Sequence, residues 1–593
     1  MPMYHRAVIH LDTPALGMPQ LAALGLETDH GTYDGLSFIS DFSEDELDLA
    51  RKSGFQTNIL IHDVSSFYAH QNDGFNYARA KSSSGDRPEN FSLGSYGGYY
   101  TYEEMLAILD DMAKKYPTLI SKRMQIENFT SIRKEPLYWC RISAHPESEQ
   151  KEKPQILYTA LHHAREPGSL SQLIYFMWYL LERYEHDSQI KDIIDHTELY
   201  FIPCVNPDGY RFNIASKPQG GGLWRKNMRS INGVLHGVDL NRNYSYGWGS
   251  NELGSSGNLQ NQTYRGDAPF SEPETQAVKW FTEAHHFGIA LNNHTHGNML
   301  LYPWGNYYSG NKPNTRKTPD SLLYYEYAEI FTKYNGYKSG VCYEMLNYYA
   351  NGDANDWMYG EQKSKNKIIS FIPEIGYSFY ENISDIEATC ARNLYANIEA
   401  VRLLLPVAKL LNAKVSLDGE GNLAYEIKRI GLGEGTYTVS LFSVDGKMAQ
   451  IKGPEVYTNL ELMEIAKGNI AFSILPGIRK GDRLKYILVL NNGIYDDTLT
   501  GSFWYCDSPE GCPPDIFPVP ANKHIKISAL QLPEDFHADV AIYDISGRVH
   551  TKFELKAADV LSIDVSYLAE GVYFIKGFSE EYGNFIRKVT IAH

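Results

Sequence analysis

Residues 163–166, HARE, place a histidine and a glutamate three positions apart. About one such pair is expected by chance in a chain of this length, so the spacing alone does not separate a metal site from ordinary core chemistry. The pair follows the apolar stretch QILYTAL (155–161) and precedes a helical pattern, which is where open α/β sheets bind ligands. Because both side chains can reach one cation from a single turn, His163 and Glu166 are candidate metal ligands.

A third candidate ligand follows another apolar stretch, GIALNN (288–293), in the sequence HTHG. Of His294 and His296, only one is expected to face the metal. Three protein ligands leave a fourth position for water, as in catalytic zinc sites. A hydrogen-bonded structural role remains the alternative for either histidine.

Residues 224–249, WRKNMRSINGVLHGVDLNRNYSYGWG, concentrate arginines in an otherwise acidic chain. The glycines and polar residues around Arg225, Arg229, Asn241 and Arg242 favour a loop rather than a helix. Guanidinium groups bind carboxylates in a two-point geometry. The segment therefore predicts either an anion-binding loop or a solvated loop with surface arginines.

Glu374 ends the apolar stretch IISFIPE (368–374). A carboxylate at the end of a buried strand is costly unless it is paired or used. Acidic residues are also common in the loops that follow strands, so a catalytic role and a loop role both remain open at this point.

Between about 94 and 410, apolar strand patterns alternate with helical patterns, which predicts an α/β fold with a mixed central sheet flanked by helices. The predicted strands are QILYTAL, ELYFIPCVN, GIALNNH and IISFIPEIG. Thr101 and Glu104 form a capping box that starts the first helix, and LIYFMWYLL (173–181) predicts a buried helix. A last helix is predicted over residues 386–411.

Residues 1–75 predict a small α+β domain with strands in YHRAVIHLD, LSFISDF and FQTNILIHDV. Ser43 and Glu46 form a second capping box, which begins a helix in SEDELDLARK. A polar Ser/Gly-rich linker follows over 76–93. Short strands between Gly-containing turns predict a β-sandwich over 411–508 and, after a Pro-rich stretch, a second one over 516–593.

The composition limits the functions of the 593-residue chain. A net charge of −17 argues against nucleic-acid binding, which requires a cationic face. No apolar run reaches the roughly 18–20 residues of a membrane helix. The start, MPMYHRAVIHLD, lacks the pattern of a signal peptide, so the protein is expected either to be cytoplasmic or to be numbered after removal of its signal.

The six cysteines do not form a disulfide framework. Cys140, Cys204, Cys342 and Cys390 lie far apart in apolar surroundings and are expected to be buried free thiols. Cys506 and Cys512 flank a short loop, where a bridge or two free thiols are equally open.

In order and spacing, these motifs make residues 94–410 similar to the zinc metallocarboxypeptidases of the carboxypeptidase A/B/T kind. The resemblance spans a little over half of the chain. It is carried by HARE (163–166), NPDG (206–209), WRKNMR (224–229), GVDLNRNY (237–244), YRGDAPFSEPET (264–275), HTHGNMLLYPWG (294–305), NYYANGDANDW (347–357) and FIPEIG (371–376).

The resemblance implies one Zn²⁺ in the domain, bound by His163, Glu166 and His294, and hydrolysis of the C-terminal peptide bond. Glu374 matches the general base and Arg225 the residue that stabilises the oxyanion. The substrate's terminal carboxylate and side chain are met by positions that match Asn241, Arg242, Tyr348, Arg165, Asn355 and Asp353. Asp239 is placed to support a ligand histidine, and His162 is expected to be its structural neighbour.

The resemblance leaves specificity open. Asn355 occupies the position at the base of the family's side-chain pocket, where an apolar residue suits apolar C-termini and an aspartate suits Lys or Arg. Asp353 matches a wall of that pocket and can attract a cation. Broad or mixed specificity is therefore expected. His296 departs from the family, which often has an aromatic residue there.

The flanking regions carry resemblances of their own. The N-terminal domain stands where the family has an inhibitory pro-segment, so a cleaved pro-segment and a permanent accessory domain are both possible. Residues 411–508 resemble an immunoglobulin-like spacer module. The motifs FPVPA (517–521), YDISGR (543–548), LAEGVYFIKG (568–577) and the closing KVTI (588–591) resemble the sorting domain of the type IX secretion system. That implies contact with secretion machinery and a secreted or cell-surface protein.

Two other functions remain compatible with the sequence. The same scaffold also trims murein peptides of the bacterial cell wall. A secreted binding protein with an inactive peptidase domain is the second alternative, although all the matched ligands and Glu374 are present.

Overall fold

The computed structural model describes residues 3–11, 14–73, 87–305, 317–346, 348–417, 421–478, 482–505, 515–517, 520–529, 532, 536–579 and 583–593. The chain divides into two compact units, Met1–Leu405 and Pro406–His593. Among the helices in these ranges, none combines the length and the apolar character needed to cross a membrane. The predicted linker falls largely on 74–86, and Cys506 and Cys512 fall on 506–514, outside the described residues.

The N-terminal region, residues 3–73, forms a four-stranded antiparallel sheet with helices beside it. Its elements are β1 (Tyr4–His10), α1 (Pro14–Ala23), β2 (Thr32–Tyr33), β3 (Ser37–Ser43), α2 (Glu44–Lys52), β4 (Thr57–Ile61) and α3 (Val64–His70). The strand order is β2-β3-β1-β4. Both halves of the Ser43–Glu46 capping box are formed, so the predicted start of α2 is confirmed.

The rest of the first unit surrounds an eight-stranded mixed sheet. The strands of this sheet are β5 (Met124–Thr130), β6 (Pro136–Ile142), β7 (Gln155–Thr159), β8 (Glu198–Ile202), β11 (Phe287–Asn292), β12 (Met299–Leu301), β13 (Lys338–Gly340) and β14 (Ile369–Glu374). Two further strands, β9 (Ser230–Ile231) and β10 (Val234–Leu235), form a separate hairpin. The helices of this part of the first unit are α4 (Tyr102–Lys115), α5 (Pro167–Arg183), α6 (Ser188–His196), α7 (Pro207–Ser216), α8 (Pro273–Ala284), α9 (Ser321–Thr332), α10 (Cys342–Leu346), α11 (Ala354–Gly360) and α12 (Ile383–Arg402).

The order of the large sheet places three strand ends side by side. The order is β13-β12-β14-β11-β7-β8-β6-β5, and β14, β11, β7 and β8 are parallel neighbours. Every residue of β7, β8 and β14 is buried, which explains their continuous apolar runs. Because parallel strands end at the same edge, the residues that follow β7 and β11 meet the end of β14 there. The predicted α/β class is confirmed.

The helix predicted over 386–411 is wrong at its carboxyl end. The helix α12 ends at Arg402, and residues from Ala408 onward form a strand of the second unit, in which Ala408 pairs with Arg429. Pro406 explains the break, since the residue before a proline disfavours the helical backbone. Leucines on both sides of the break gave the pattern its false continuity.

The second unit consists of four antiparallel sheets around two apolar cores. The first two sheets have the orders β15-β16-β20-β18 and β19-β17-β21-β22, and the last two are β23-β24-β27 and β26-β25-β28-β29. The strands are β15 (Ala408–Ser416), β16 (Gly421–Arg429), β17 (Tyr437–Ser443), β18 (Met448–Ala449), β19 (Glu455–Tyr457), β20 (Ile465–Ile474), β21 (Arg483–Asn491), β22 (Asp496–Trp504), β23 (Asp515–Phe517), β24 (His524–Ser528), β25 (His537–Asp544), β26 (Val549–Lys556), β27 (Val560–Asp564), β28 (Gly571–Ser579) and β29 (Gly583–Ile591).

The four cysteines Cys140, Cys204, Cys342 and Cys390 are buried free thiols, as predicted. The domain boundaries that the sequence suggests inside each unit stay predictions.

Candidate active site

The side chains of the three candidate metal ligands, His163, Glu166 and His294, converge where β7 and β11 end. His163 Nδ1 lies 2.7 Å from Glu166 Oε1, and His294 Nδ1 lies 2.9 Å from Glu166 Oε2. The two histidine Nδ1 atoms are 3.1 Å apart. Glu166 immediately precedes α5, and all three side chains are buried. The structure thus brings together the three residues that the sequence suggested as metal ligands.

This donor set fits a zinc ion. Two imidazole nitrogens 3.1 Å apart make at best one hydrogen bond with each other, yet a tetrahedral ion at about 2.0–2.1 Å from each nitrogen requires them at about this separation. Nitrogen and carboxylate donors are also those that zinc prefers.

The ring of His163 is oriented from behind by Asp239. His163 Nε2 lies 3.2 Å from Asp239 Oδ1, the carboxylate–histidine arrangement that fixes metal-binding imidazoles. Burial alone would raise the pKa of Asp239, but Arg225, Arg242 and His163 outweigh it and hold that pKa well below its ordinary range. The expectation that Asp239 lies next to a ligand histidine agrees with this contact.

His162 lies beside the donor set without joining it. Its Nε2 is 2.9 Å from the hydroxyl of Tyr244, and its ring stacks on His294 at 5.4 Å between centroids. His296 points elsewhere than His294, although residues two apart in a strand share a face, because the chain bends at residues 296–298 and does not continue as a strand. The His296 ring packs edge-on against Phe379.

Glu374 ends β14 and lines the same small pocket as His163. It is 6% exposed, and its Oε2 has no hydrogen-bond partner among the described residues. Burial raises the pKa of Glu374 well above its ordinary value, and the carboxylates of Glu166 and Asp29 raise it further. Burial therefore favours the protonated form of the Glu374 carboxyl group.

Arg225 is a fully buried guanidinium that contacts three carboxylates. Its Nε and Nη2 donate to Asp239 Oδ2 at 3.0 and 2.9 Å. Its Nη1 donates to Glu27 Oε1 at 2.9 Å, and Nη2 to Asp29 Oδ2 at 2.8 Å. Glu27 and Asp29 belong to the N-terminal region, so this cation binds acids from another part of the first unit.

Asn241 and Arg242 follow Asp239 in a single 3₁₀ turn, Leu240–Arg242. The side-chain oxygen of Asn241 accepts from the amide of Ala354 at 2.9 Å, which ties the turn to α11. Arg242 Nη2 contacts the hydroxyl of Tyr348 and lies 3.4 Å from Asp29 Oδ2. The structure brings together the positions that match the carboxylate clamp, and Asp29 lies against them.

The remaining predicted specificity residues line the same pocket. Asp353 caps α11 through Oδ1, which accepts from the amide of Asp356, while its Oδ2 and Asn355 Oδ1 have no partner among the described residues. Apolar side chains, Leu301 and Ile372, form other parts of the wall. The free volume is about 20 Å³, room for roughly one water, and Asp29 is among the residues that line it.

Arg165 lies above the ring of Phe379, with its guanidinium carbon 4.3 Å from the ring centroid, and pairs with Glu27. Burial lowers the pKa of Arg165 to about 10, and the nearby charge of Arg225 lowers it too. Arg229 instead pairs with Glu272 at 3.0 Å, away from the three donors.

Sequence reasoning missed the loop of residues 24–31, which joins α1 to β2 and carries Glu27, Asp29 and His30 into the cleft. The three side chains are 2–7% exposed. Gly25 has φ +84°, and a Cβ there would overlap the side chain of Asn261. The loop therefore lies very close to the segment that contains Asn261. The sequence LETDHG (26–31) did signal this loop. It places two acidic residues between Gly25 and Gly31, and no Lys or Arg lies nearby in the sequence to pair with them.

Residues 105–396 match the family model described as zinc carboxypeptidase. The chain carries a zinc carboxypeptidase domain. Residues 515–592 match the model of a secretion system C-terminal sorting domain. Both resemblances inferred from the sequence are therefore confirmed, and so is the enzyme class, a hydrolase that acts on C-terminal residues.

Known carboxypeptidases align with about half of the chain. Carboxypeptidase O of Bos taurus is 29% identical over 307 residues, which are 51% of this chain and 78% of that protein. Carboxypeptidase A5 of Homo sapiens is 30% identical over 310 residues, 52% of this chain and 66% of that protein. The zinc carboxypeptidase family depends on zinc, which agrees with the donor set of the cleft.

Two solved structures share the fold. Carboxypeptidase A of Helicoverpa armigera aligns with a TM-score of 0.53 and 21% identity, covering 68% of this chain and 97% of its own. Thrombin activatable fibrinolysis inhibitor aligns with a TM-score of 0.51 and 22% identity, covering 68% and 98%. The carboxypeptidase-like fold is confirmed by these structures.

Proposed function

We propose that the protein hydrolyses the C-terminal peptide bond of peptides and proteins at the cleft formed by His163, Glu166, His294 and Glu374. The observation that carries this proposal is the convergence of the three donor atoms beside a buried carboxyl group and a buried guanidinium. A zinc ion held by the three donors supplies a Lewis acid that polarises a carbonyl oxygen and lowers the pKa of water.

In this mechanism Glu374 transfers the proton, and Arg225 stabilises the negative charge of the oxyanion. Glu374 accepts a proton from the attacking water and delivers it to the leaving amine. The Arg225 guanidinium donates hydrogen bonds to the oxyanion that develops on the scissile carbonyl. Asp239 holds this guanidinium through two of its nitrogens, so its direction is set before substrate binds.

Binding of the chain end makes the enzyme an exopeptidase. The Arg242 guanidinium and the Asn241 amide bind the substrate's terminal carboxylate, and the Tyr348 hydroxyl closes on it from beside Arg242. Arg165 contacts the substrate further along its chain. Because only a free C-terminus offers the carboxylate, the clamp fixes which peptide bond reaches Glu374.

The side-chain pocket supports broad or mixed specificity. Leu301 and Ile372 offer an apolar wall, whereas Asp353 and Asn355 offer polar atoms without other partners among the described residues. An apolar or a basic side chain therefore finds a suitable surface there. Peptides ending in Phe, Leu, Lys, Arg and Glu test this proposal, and a preference for one residue above about 1000-fold contradicts it, since it requires roughly 4 kcal/mol of discrimination.

The contacts of Asp29 indicate that the intact chain is latent. Its carboxylate lies against Arg225 and Arg242, the two cations that a substrate's anionic groups need. The N-terminal region therefore acts as an inhibitory pro-segment, which favours the first of the two roles left open by the sequence. The sorting domain supports a secreted or cell-surface location and contact with secretion machinery.

The deciding experiment combines zinc analysis with kinetics. The full chain is purified, its zinc is measured, and part of it is treated with trypsin, which cleaves after basic residues such as Arg79 and Lys81 of the linker. We expect about one zinc per carboxypeptidase domain, and hydrolysis of a peptide with a free C-terminus after trypsin.

The variant Glu374→Gln should lose about 10²–10⁴-fold in kcat. Glu329→Gln, an exposed change on α9, is the matched control and should behave as wild type. Wild-type turnover of Glu374→Gln contradicts the mechanism, and a chain without zinc contradicts the proposed metal site.

A further inference from the structure

His30 lies next to the three donor atoms although it belongs to the N-terminal region. Its Nε2 is 3.4 Å from Glu166 Oε1, on the side of that carboxylate that also faces His163. Nitrogen or oxygen atoms of His30, His163 and Glu166 all lie within 4.8 Å of one another. A single ion can therefore be reached by His30 as well as by the donors that follow β7.

The other nitrogen of His30 is held as metal-binding imidazoles usually are. His30 Nδ1 lies 3.3 Å from the carbonyl oxygen of His296, which as an acceptor fixes the proton on Nδ1 and leaves the lone pair on Nε2. The ring is stacked on His296 at 5.2 Å and packed edge-on against Phe379 at 5.0 Å. The ring is thus oriented from three sides.

The nitrogen that faces the three candidate ligands makes no hydrogen bond among the described residues, although two carboxylates lie near it. His30 is 2% exposed, and its Nε2 makes no hydrogen bond to any described residue. The nearest carboxylate oxygens are those of Glu166 at 3.4 Å and Glu27 at 3.7 Å, both longer than a hydrogen bond to a charged group. A buried imidazole nitrogen without a partner is costly, and a metal ion at the donor set removes that cost.

We propose that in the intact chain His30 is a fourth protein ligand of the zinc ion, bound through Nε2 at the position that water takes in the active enzyme. This inference rests on the proposed function and adds the chemistry of latency to it. The loop then blocks the cleft at two points. Asp29 lies against Arg242 of the carboxylate clamp, and His30 would occupy the fourth coordination position of the zinc ion. Four protein ligands make a structural type of zinc site, and three plus water make a catalytic one.

The test counts imidazoles on the metal rather than turnover. X-ray absorption at the zinc edge is recorded on the intact wild-type chain and on His30→Ala and His30→Asn, all loaded with one zinc. We expect three imidazole ligands in the wild type and two in either variant. His10→Ala, an exposed change in β1 of the same region, is the matched control and should keep three.

The release of zinc to a chelator gives a second reading. We expect zinc to leave the His30 variants at least about tenfold faster than the wild type, because one ligand is missing. If both variants fail to fold, the wild-type count remains a test, since three imidazoles require a histidine beyond His163 and His294 and a count of two overturns the proposal.

The outcomes separate this inference from the proposed function. Two imidazoles in the intact wild type, or three in a folded His30 variant, overturn the role of His30. If the trypsin-treated chain nevertheless hydrolyses peptides, the proposed function stands without it. A chain that binds no zinc overturns both.

Discussion

The cleft and the loop that enters it are both buried and charged, yet their charges are held in different ways. In the cleft, Arg225 is fixed by Asp239, and Arg242 donates through Nε to the carbonyl of Gly254 at 2.9 Å. In the loop, Glu27 and Asp29 find their arginine partners by docking against the cleft. The arginines of the cleft are thus held by neighbouring residues of the cleft itself, whereas the acids of the loop are held by contacts with the cleft.

The loop is also anchored inside its own region, where the Ser40 hydroxyl donates to the carbonyl oxygen of His30. The Glu27 amide donates to Glu46 Oε1 at 3.1 Å, and Glu46 also closes the capping box of α2. Burial raises the pKa of Glu46 to about 7. The comparison teaches that a few ion pairs and hydrogen bonds position residues 24–31 against the cleft, so changes in this loop should expose the cleft without altering its own contacts.

Among the changes that compare the cleft with the loop, Arg225→Gln should have the largest effect, because Arg225 belongs to the cleft and also contacts the acids of the loop. After trypsin treatment, kcat/KM should fall about 10²–10³-fold as the oxyanion loses its donor. Arg229→Gln, on the same loop but paired with Glu272, is the control and should stay near wild type. Steady-state kinetics on one peptide decides, and wild-type kcat/KM for Arg225→Gln refutes the assigned role.

Arg242→Gln should weaken the binding of the substrate's terminal carboxylate. Loss of a charge-assisted contact should slow hydrolysis of a peptide with a free C-terminus about 10- to 100-fold. The same peptide with an amidated C-terminus should be almost unaffected. Arg265→Gln, whose partner is the exposed Glu252, serves as control. Equal losses on both peptides would show that Arg242 does not bind the carboxylate.

The double variant Glu27→Gln, Asp29→Asn changes the loop and leaves the cleft intact. Each lost ion pair weakens docking, and a total of about 2 kcal/mol raises the open fraction about 30-fold. We therefore expect the untreated variant to hydrolyse peptides about 30-fold faster than the untreated wild type. Glu44→Gln with Asp45→Asn changes two exposed acids of α2 and should leave latency unchanged. An untreated double variant as slow as wild type contradicts inhibition by these charges.

The smallest effect is expected from Asn355→Asp at the pocket wall. An added carboxylate beside Asp353 should shift the ratio of Lys over Leu hydrolysis about tenfold toward Lys, roughly 1.4 kcal/mol. The measurement compares kcat/KM for the two peptides after trypsin treatment, and Asn258→Asp on the surface is the control. An unchanged ratio would place the side-chain pocket elsewhere.

Sequence reasoning predicted the cleft because its information is local. The strand patterns before His163, His294 and Glu374 require those residues to meet at one edge once the strands are parallel. The capping boxes of α2 and α4 were equally predictable, since each is formed within four residues. The residue roles themselves came from the family resemblance.

The loop could not be predicted in this way. Nothing near Asp29 in the sequence tells which cation it meets, and Arg225 and Arg242 lie about two hundred positions away. The prediction for the end of α12 was wrong for a different reason. Pro406 ends the helical pattern, and the residues beyond it pair as a strand, Ala408 with Arg429.

Asp239 has a consequence for the way this centre responds to mutation. One oxygen accepts from the Asn241 amide and lies near the His163 ring, and the other accepts from Arg225. Metal binding, oxyanion binding and the clamp therefore share one carboxylate. Their free energies should be coupled rather than additive, so that replacing Asp239 would weaken all three together and conceal much of the effect of a second change at any one of them.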